Sequence, residues 1–234
     1  MNALLSLTAT LLFSLLLVHL VNRREQRRRE IRWRQRRARA QIEGLEEVLI
    51  GLEETLSDRR IAERINREIQ HQLEAALALE NGRNTHLETR LNHVKERAEE
   101  LENNRRQARA NRLRESDAQL ARTRECLDQA ARVLRRQHNQ GRLERETLDE
   151  FLRELSWSRL MVEVVTYVAE GHKSLQRGDI TSALAYYKKA QGLLIASDHP
   201  NPHRMEIIRE LGDMIQGKRK ALSPELMPET DYNP

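Results

Sequence analysis

The sequence is poor in aromatic residues, cysteine and proline. Phenylalanine, tryptophan and tyrosine together make up 3% of its 234 residues, against 33% charged residues. So few large apolar side chains predict no sizeable globular core and favour long solvated helices. The five prolines and nine glycines are mostly grouped at a few places, which leaves long stretches of the strong helix formers Glu, Arg, Gln, Ala and Leu. We therefore expect an all-α protein.

The residues needed for catalysis or metal binding are also missing. The single cysteine, Cys126, excludes an internal disulfide and a cysteine metal cluster, as is usual in a reducing cytoplasm. There is no phosphate-binding glycine loop, no nucleophile elbow and no zinc-protease helix motif. His86 and His93 lie one heptad apart instead of at the spacing of helical metal ligands. We expect no enzymatic activity, no cofactor and no metal.

One long apolar run stands near the N-terminus, where residues 3–21 read ALLSLTATLLFSLLLVHLV. It carries no formal charge, and at about 1.5 Å per residue it reaches about the 30 Å of a bilayer's hydrocarbon core. A cleaved signal peptide would carry positive charge before the run and small residues at a cut site, and this chain has neither. We predict that residues 1–21 form a transmembrane anchor.

An arginine-rich segment, residues 22–41, follows the anchor. Residues 22–39 contain ten arginines and two glutamates, so the positive-inside rule places this side in the cytoplasm and the short N-terminus outside. We expect a single-pass protein of a bacterial inner membrane whose arginines attract anionic lipids, each contributing about 1 kcal/mol. The predicted membrane-surface residues are Arg23, Arg24, Arg27, Arg28, Arg29, Arg32, Trp33, Arg34, Arg36 and Arg37. Because later charges nearly balance, the net charge of +5 indicates a membrane surface more than nucleic acid.

Residues 42–138 show the apolar spacing of a coiled coil. The stripe comprises Ile42, Leu45, Leu49, Leu52, Leu56, Ile61, Ile65, Ile69 and Leu73, and further heptads follow up to Leu134. A stripe this narrow needs a partner helix, so we expect a homo-oligomer or an internal helix pair. We expect the helix to continue across the five-residue step between Leu56 and Ile61 with a local change of supercoil.

Gly82 marks a possible hairpin in this long helical part. It lies between two asparagines, and a capping box from Thr85 to Glu88 follows. Two helices of similar length, residues 24–80 and 86–138, would then pair antiparallel. The alternative is a continuous parallel dimer in which Gly82 is a mild defect. The sequence favours a break near Gly82 without deciding between the two arrangements.

Apolar residues become denser in residues 143–222, which predicts a three-helix module. Its first helix follows a capping box at Thr147, and its third helix covers about residues 203–220. The inner stripe of that third helix is predicted at Met205, Ile208, Leu211 and Ile215. The tail, residues 223–234, holds three of the five prolines and is predicted to be disordered.

Residues 167–190 read YVAEGHKSLQRGDITSALAYYKKA and resemble a tetratricopeptide repeat. The matching positions are Tyr167 and Gly171 in the first helix, Gly178 and Asp179 in the turn, and Ala183, Tyr187 and Ala190 in the second helix. Glu170 and Ser174 depart from the family pattern, and one copy needs flanking helices as caps. The resemblance implies protein docking. Candidate contact residues are Lys173, Arg177, Lys188 and Lys189.

Together these features predict a membrane-anchored adaptor or scaffold that recruits cytoplasmic protein partners. The alternative is a membrane tether for DNA, in which the arginines grip phosphates and binding depends steeply on salt. A regulatory subunit of a membrane complex is a third possibility, which the very short external end makes weaker.

Overall fold

The computed structural model describes residues 2–78, 84–103, 110–224 and 226. Up to residue 32, it describes the side chains of residues 19, 22, 23, 25, 26, 29 and 30 only. All regular structure in these parts is helical, which confirms the predicted all-α class. The helices are α1 (Asn2–Thr55), α2 (Arg60–Ala78), α3 (Thr85–Asn103), α4 (Asp117–Asn139), α5 (Arg145–Gln176), α6 (Ile180–Ala196) and α7 (His203–Ile215).

Almost all side chains of the predicted transmembrane anchor, residues 1–21, lie outside the described residues. Its backbone forms the first part of α1, but among residues 3–21 only the side chain of His19 is described. Within the described residues, no helix is both long enough and apolar enough to cross a bilayer.

A first core joins the end of α1 with α2, α3, α4 and the beginning of α5. Its buried residues include Ile42, Leu49, Leu52, Ile61, Ile65, Ile69, Leu73, Leu101, Leu134, Phe151 and Leu155. Most of the stripe that predicts a coiled coil is therefore buried within a single chain. A second copy would reach these side chains only if this core opened.

The predicted continuous helix across Leu56 and Ile61 is wrong, because α1 ends at Thr55 and α2 begins at Arg60. Asp58 stabilises the reversal, since its carboxylate accepts a hydrogen bond from the backbone N of Arg60 at 2.9 Å. Leu56 and Ile61 are both buried, so the turn lets the two apolar stripes face each other.

The predicted break at Gly82 lies outside the described residues, as do all of residues 79–83. Asn84, not Thr85, caps the start of α3, because its Oδ1 accepts a hydrogen bond from the backbone N of Leu87 at 3.2 Å. α3 lies beside α2, and the Nδ2 of Asn66 donates to the carbonyl oxygen of Val94 at 2.9 Å.

The predicted single helix over residues 86–138 is wrong, and so is the continuous parallel dimer helix. Residues 110–116 are not helical, and α4 starts only after Ser116, whose Oγ accepts from the backbone N of Gln119 at 3.2 Å. Leu113, predicted as a heptad position, instead packs at the edge of the second core. The caps at Asn84 and Ser116 and the non-helical linker of residues 110–116 thus divide the predicted coiled-coil segment.

The second core joins the later part of α5 with α6 and α7. It contains Trp157, Met161, Val164, Val165, Val168, Ala183, Tyr187, Ala190, Leu194, Ile207, Leu211, Met214 and Leu222. Because the first part of α5 belongs to the first core, this helix of 32 residues connects the two cores.

Several predicted details of the C-terminal module differ from the structure. α5 begins at Arg145 after Glu144 and has no side-chain cap, so the capping box at Thr147 is wrong. α7 ends at Ile215. Of its predicted inner stripe, Leu211 is buried and Ile208 and Ile215 pack against the second core, whereas Met205 is 61% exposed. Ile207 and Met214, which the predicted stripe did not include, are also buried.

The beginning of the predicted disordered tail is attached to α7. The backbone N and the hydroxyl of Ser223 both donate hydrogen bonds to the carboxylate of Glu210. Leu222 is buried just before it. The remainder of the predicted tail, apart from residues 224 and 226, lies outside the described residues.

Candidate functional site

The arginine-rich segment forms the middle of α1. Its described arginines are exposed, and two of them pair within the helix, Arg29 with Glu25 at 3.2 Å and Arg34 with Glu30 at 2.6 Å. The guanidinium of Arg37 lies 5.4 Å from the ring centre of Trp33, which is 59% exposed. The side chains of Arg24, Arg27, Arg28 and Arg32 lie outside the description. The described part is therefore a solvated, strongly basic helix.

The helix pair formed by α5 and α6 is tightly packed at Gly171. A methyl group added there would lie 2.4 Å from the Cε1 atom of Tyr187. Tyr187 is buried, and its hydroxyl lies 3.0 Å from Nδ1 of His172. Ala183 and Ala190 are fully buried in the same interface. The approach of the two helices thus depends on small side chains at three positions.

The turn between the two helices is built by Gly178 and Asp179. Gly178 has a φ of +78°, which an L-residue adopts only with strain. Asp179 caps α6, because its carboxylate accepts a hydrogen bond from the backbone N of Ser182 at 3.0 Å. Hydrogen bonds from the side chain and the backbone of Ser182 lower the pKa of this carboxyl. This local chemistry brings α6 back along α5.

The predicted contact residues of this module mostly make local interactions. Lys173 pairs with Glu170 at 2.8 Å, and Arg177 donates to the hydroxyl of Ser174 at 3.3 Å. The ammonium of Lys189 lies 4.1 Å from the ring centre of Tyr167, and that ring stacks on Tyr186 with centroids 6.4 Å apart. Lys188 is exposed. Tyr167 therefore lies partly on the surface, next to a lysine.

A groove between α1 and α4 was not predicted from the sequence. Its volume is about 780 Å³, and it is bounded by α1, the linker of residues 110–116, and α4. Its apolar lining includes Val48, Leu113 and the half-exposed Ile50. Its four carboxylates belong to Glu47, Glu54, Glu115 and Glu125. Only Gly51, a glycine within an amphipathic helix, could have indicated a close helix contact in this region.

Cys126 forms part of the floor of this groove. Its Sγ lies 3.4 Å from the carbonyl oxygen of Val48, and a methyl group added at Gly51 would lie 2.6 Å from it. Burial raises the pKa of the Cys126 thiol to about 11. The thiol therefore serves as a small packing group between α1 and α4.

We expect Cys126 to react slowly with iodoacetamide at pH 8 in the folded protein. With a pKa of about 11, its thiolate fraction is about two hundred times smaller than that of an ordinary thiol with a pKa of about 8.5. Mass spectrometry of timed aliquots, compared with the same chain in concentrated urea, measures the ratio of rates. Equal rates in the folded and unfolded chain would contradict this packing.

Arg114 lies at the end of the groove and joins several elements. Its guanidinium donates to the hydroxyls of Thr55 in α1 and Thr123 in α4, at 2.8 and 2.6 Å. It also donates to the carbonyl oxygens of Asn111 and Leu113, at 2.9 and 2.8 Å. The residue is only 8% exposed, and burial lowers the pKa of its guanidinium. Arg114 thus fixes the linker between α1 and α4.

A second cavity, of about 340 Å³, lies between α5, the start of α2 and the loop from α6 to α7. The rings of Trp157 and His199 lie 5.1 Å apart there. Both ring nitrogens of His199 are engaged, by the carbonyl oxygen of Arg153 at 3.0 Å and the backbone N of Asn201 at 3.2 Å. Burial raises the pKa of the Glu154 carboxyl. These contacts fasten the loop to α5.

In the described part of the chain, no three His, Cys, Asp or Glu side chains are arranged to hold a metal ion. His71, His86 and His93 are exposed, and Nδ1 of His138 lies 2.8 Å from the carbonyl oxygen of Leu143.

Compared with protein-family models, curated proteins and solved structures, the chain has no match. The resemblance of residues 167–190 to a tetratricopeptide repeat thus depends on their spacing and on the contacts of Gly171 and Tyr187. Function has to be argued from the chain's own surfaces.

Proposed function

We propose that the protein is a single-pass membrane-anchored adaptor that recruits protein partners at the cytoplasmic face of a membrane. The supporting observation is the continuity of α1, a helix of 54 residues from Asn2 to Thr55. It contains the apolar run, the arginine-rich segment and the part that is buried in the first core. An anchor in the bilayer would therefore be joined to the folded body without a flexible linker.

The length of α1 sets the distance between bilayer and body. From Val21 to Ile42, the first fully buried core residue of α1, the helix rises about 30 Å. For a helix perpendicular to the bilayer, charges beyond about 8 Å from the lipid surface are largely screened. Arg23 to Arg29 would bind anionic headgroups, whereas Arg34 to Arg39 would keep the stalk solvated.

Two surfaces on the body support a recruiting role. The pair α5 and α6 has the spacing of a family whose members dock other proteins. The groove between α1 and α4 adds an open surface with apolar and acidic side chains. The anchor would confine both surfaces to a membrane, which raises the local concentration of a partner.

Membrane retention tests this proposal. Leu15→Arg/Leu16→Arg places two charges in the apolar run, and each charge costs about 3 kcal/mol near the centre of a transmembrane helix. We expect the tagged full-length chain to remain in the membrane pellet after alkaline extraction, and this variant to become soluble. The matched control, Leu15→Ala/Leu16→Ala, should remain in the pellet.

The outcome also separates the alternative function. An uncut wild-type chain that is freely soluble without detergent would contradict the anchor. A chain that stays in the pellet after alkaline extraction and also binds DNA through the arginine-rich segment, with a steep dependence on salt, would support the alternative of a membrane tether for DNA.

A further inference from the structure

We propose that the groove between α1 and α4 binds a basic amphipathic helix of a partner protein. This inference rests on the proposed adaptor function and specifies the chemistry of what the adaptor recruits. Three properties of the groove support it, namely its apolar lining, its charge and its distance from the membrane.

The groove offers apolar contacts along one turn of α1 and the facing linker. Ile50 is 50% exposed, although it is a large aliphatic residue in a helix whose neighbouring side chains Val48, Leu49 and Leu52 are buried. The side chain of Leu113 forms part of the opposite wall. The groove is deep beside these two residues, because Gly51 has no side chain and the side chain of Cys126 is small. Leucine-sized side chains of a partner helix would fit along this surface.

The charge of the groove favours a basic partner. Four carboxylates line it, against the guanidinium groups of Arg114 and Arg122. The guanidinium of Arg114 donates to Thr55, Thr123 and two carbonyl oxygens and keeps its positive charge, which is attracted to Glu54. The acidic side chains of the lining still outnumber the basic ones.

Two of the carboxylates remain available. Glu125 pairs with Arg132 at 2.6 Å and Glu54 is attracted to the guanidinium of Arg114, but Glu47 and Glu115 have no ion pair among the residues that the structure describes. Unpaired carboxylates beside an exposed isoleucine match lysines or arginines that flank an apolar stripe. They would repel the phosphates of a nucleic acid or of a lipid headgroup.

The position along α1 excludes the most obvious basic helix, the arginine-rich segment of a neighbouring copy. Glu47 lies 26 residues after Val21 and therefore about 39 Å along the helix axis. The last arginine of the segment, Arg39, lies only about 27 Å along it. Two copies anchored side by side in one membrane would not bring the arginines of one to the groove of the other. The occupant is thus a different protein.

Peptide binding to the full-length chain in zwitterionic nanodiscs tests the inference. The probe is a fluorescent helical peptide of about 20 residues with leucines on one face and lysines elsewhere. One control peptide has glutamates in place of the lysines, and another has the same composition with the leucines distributed around the helix. Empty nanodiscs measure binding to lipid. We expect saturable binding of the first peptide only, with an affinity that falls as salt is raised.

Surface variants locate the site. Glu47→Lys/Glu115→Lys should weaken binding by about tenfold or more, because two attractive charges become repulsive. Glu99→Lys/Asp198→Lys changes net charge equally at exposed positions outside the groove, so it should leave affinity within about twofold. Ile50→Asp should also weaken binding, and its circular dichroism should match the wild type because Ile50 is half exposed.

Any of three results would overturn the inference. The three peptides could bind equally, the first peptide could fail to bind at about 1 mM and low salt, or Glu47→Lys/Glu115→Lys could leave the affinity unchanged. Alkaline extraction of the same variants keeps the two proposals apart. Loss of peptide specificity with intact membrane retention contradicts only the groove, whereas a soluble wild-type chain that still binds the peptide contradicts only the anchor.

Discussion

Replacing Arg114 by methionine is expected to lower the free energy of unfolding by about 3 kcal/mol or more. Methionine fills similar space but donates no hydrogen bond to Thr55, Thr123 or the carbonyl oxygens of Asn111 and Leu113. The hydroxyl of Thr55, which is fully buried, would lose this donor. A hydrogen bond from a charged group to a buried partner contributes about 1.5–3 kcal/mol. The loss of several such hydrogen bonds therefore outweighs the free energy gained because no charge has to be buried.

Denaturation of the purified chain in zwitterionic detergent measures this effect with two probes. Far-UV circular dichroism follows all helices, whereas tryptophan fluorescence in a Trp33→Phe background follows the C-terminal module, because the remaining Trp157 is buried in the second core. Both midpoints should fall, because the linker that the Arg114 guanidinium fixes is also attached to α5. The backbone N of residue 114 donates a hydrogen bond to Thr166 there, at 3.3 Å. The control is Arg122→Met, an exposed position of α4, with an expected change below about 0.5 kcal/mol. Equal midpoints for the two variants would contradict the role of Arg114.

Adding one methyl group at Gly171 should destabilise the C-terminal module, by about 1–3 kcal/mol. The new Cβ would lie 2.4 Å from the ring of Tyr187, so α5 and α6 would have to separate. This cost exceeds the gain of about 1 kcal/mol that alanine brings over glycine within a helix.

A double-mutant cycle identifies Tyr187 as the cause. Gly171→Ala should cost less in a Tyr187→Leu background, since the shorter side chain leaves space for the methyl group. Gly192→Ala is the matched control, because Gly192 lies in α6 with no atom within 4 Å of an added Cβ, and it should stabilise the chain slightly. Trp157 fluorescence during urea unfolding gives each value. Destabilisation by Gly192→Ala as large as that by Gly171→Ala would refute the close contact.

The local features of the C-terminal module are those that the sequence anticipates best. Gly171 and Tyr187 are only 16 positions apart and meet through one tight turn at Gly178, so spacing alone suggests their contact. The predicted start of the third helix at about residue 203 also matches the structure, in which α7 begins at His203.

The arrangement of residues 42–139 was much harder to anticipate. An apolar stripe shows that a helix needs a covering partner, but it does not show which helix covers it. The polar residues that precede α2, α3 and α4, namely Asp58, Asn84 and Ser116, act through one or two local hydrogen bonds each, and the heptad pattern outweighed them in the prediction.

Arg114 and the groove were missed for a related reason. A charged residue in an arginine-rich sequence is expected to be solvated, and the burial of Arg114 depends on oxygens from α1, the linker and α4. In the groove, Cys126 contacts Val48, 78 positions away in the chain. Apart from Gly51, these features have no local sequence signal.

We propose that α1 is one helix that passes from a bilayer through a solvated arginine-rich segment into a packed core. Spin labels placed singly at Leu12, Leu16, Gln26, Arg36 and Leu49, in a Cys126→Ala chain reconstituted in liposomes, test it by electron paramagnetic resonance. The account predicts high oxygen accessibility at residues 12 and 16, high accessibility to a water-soluble nickel complex at 26 and 36, and protection from both at 49. Accessibility of residues 12 and 16 to the nickel complex, at the level of residues 26 and 36, would contradict it.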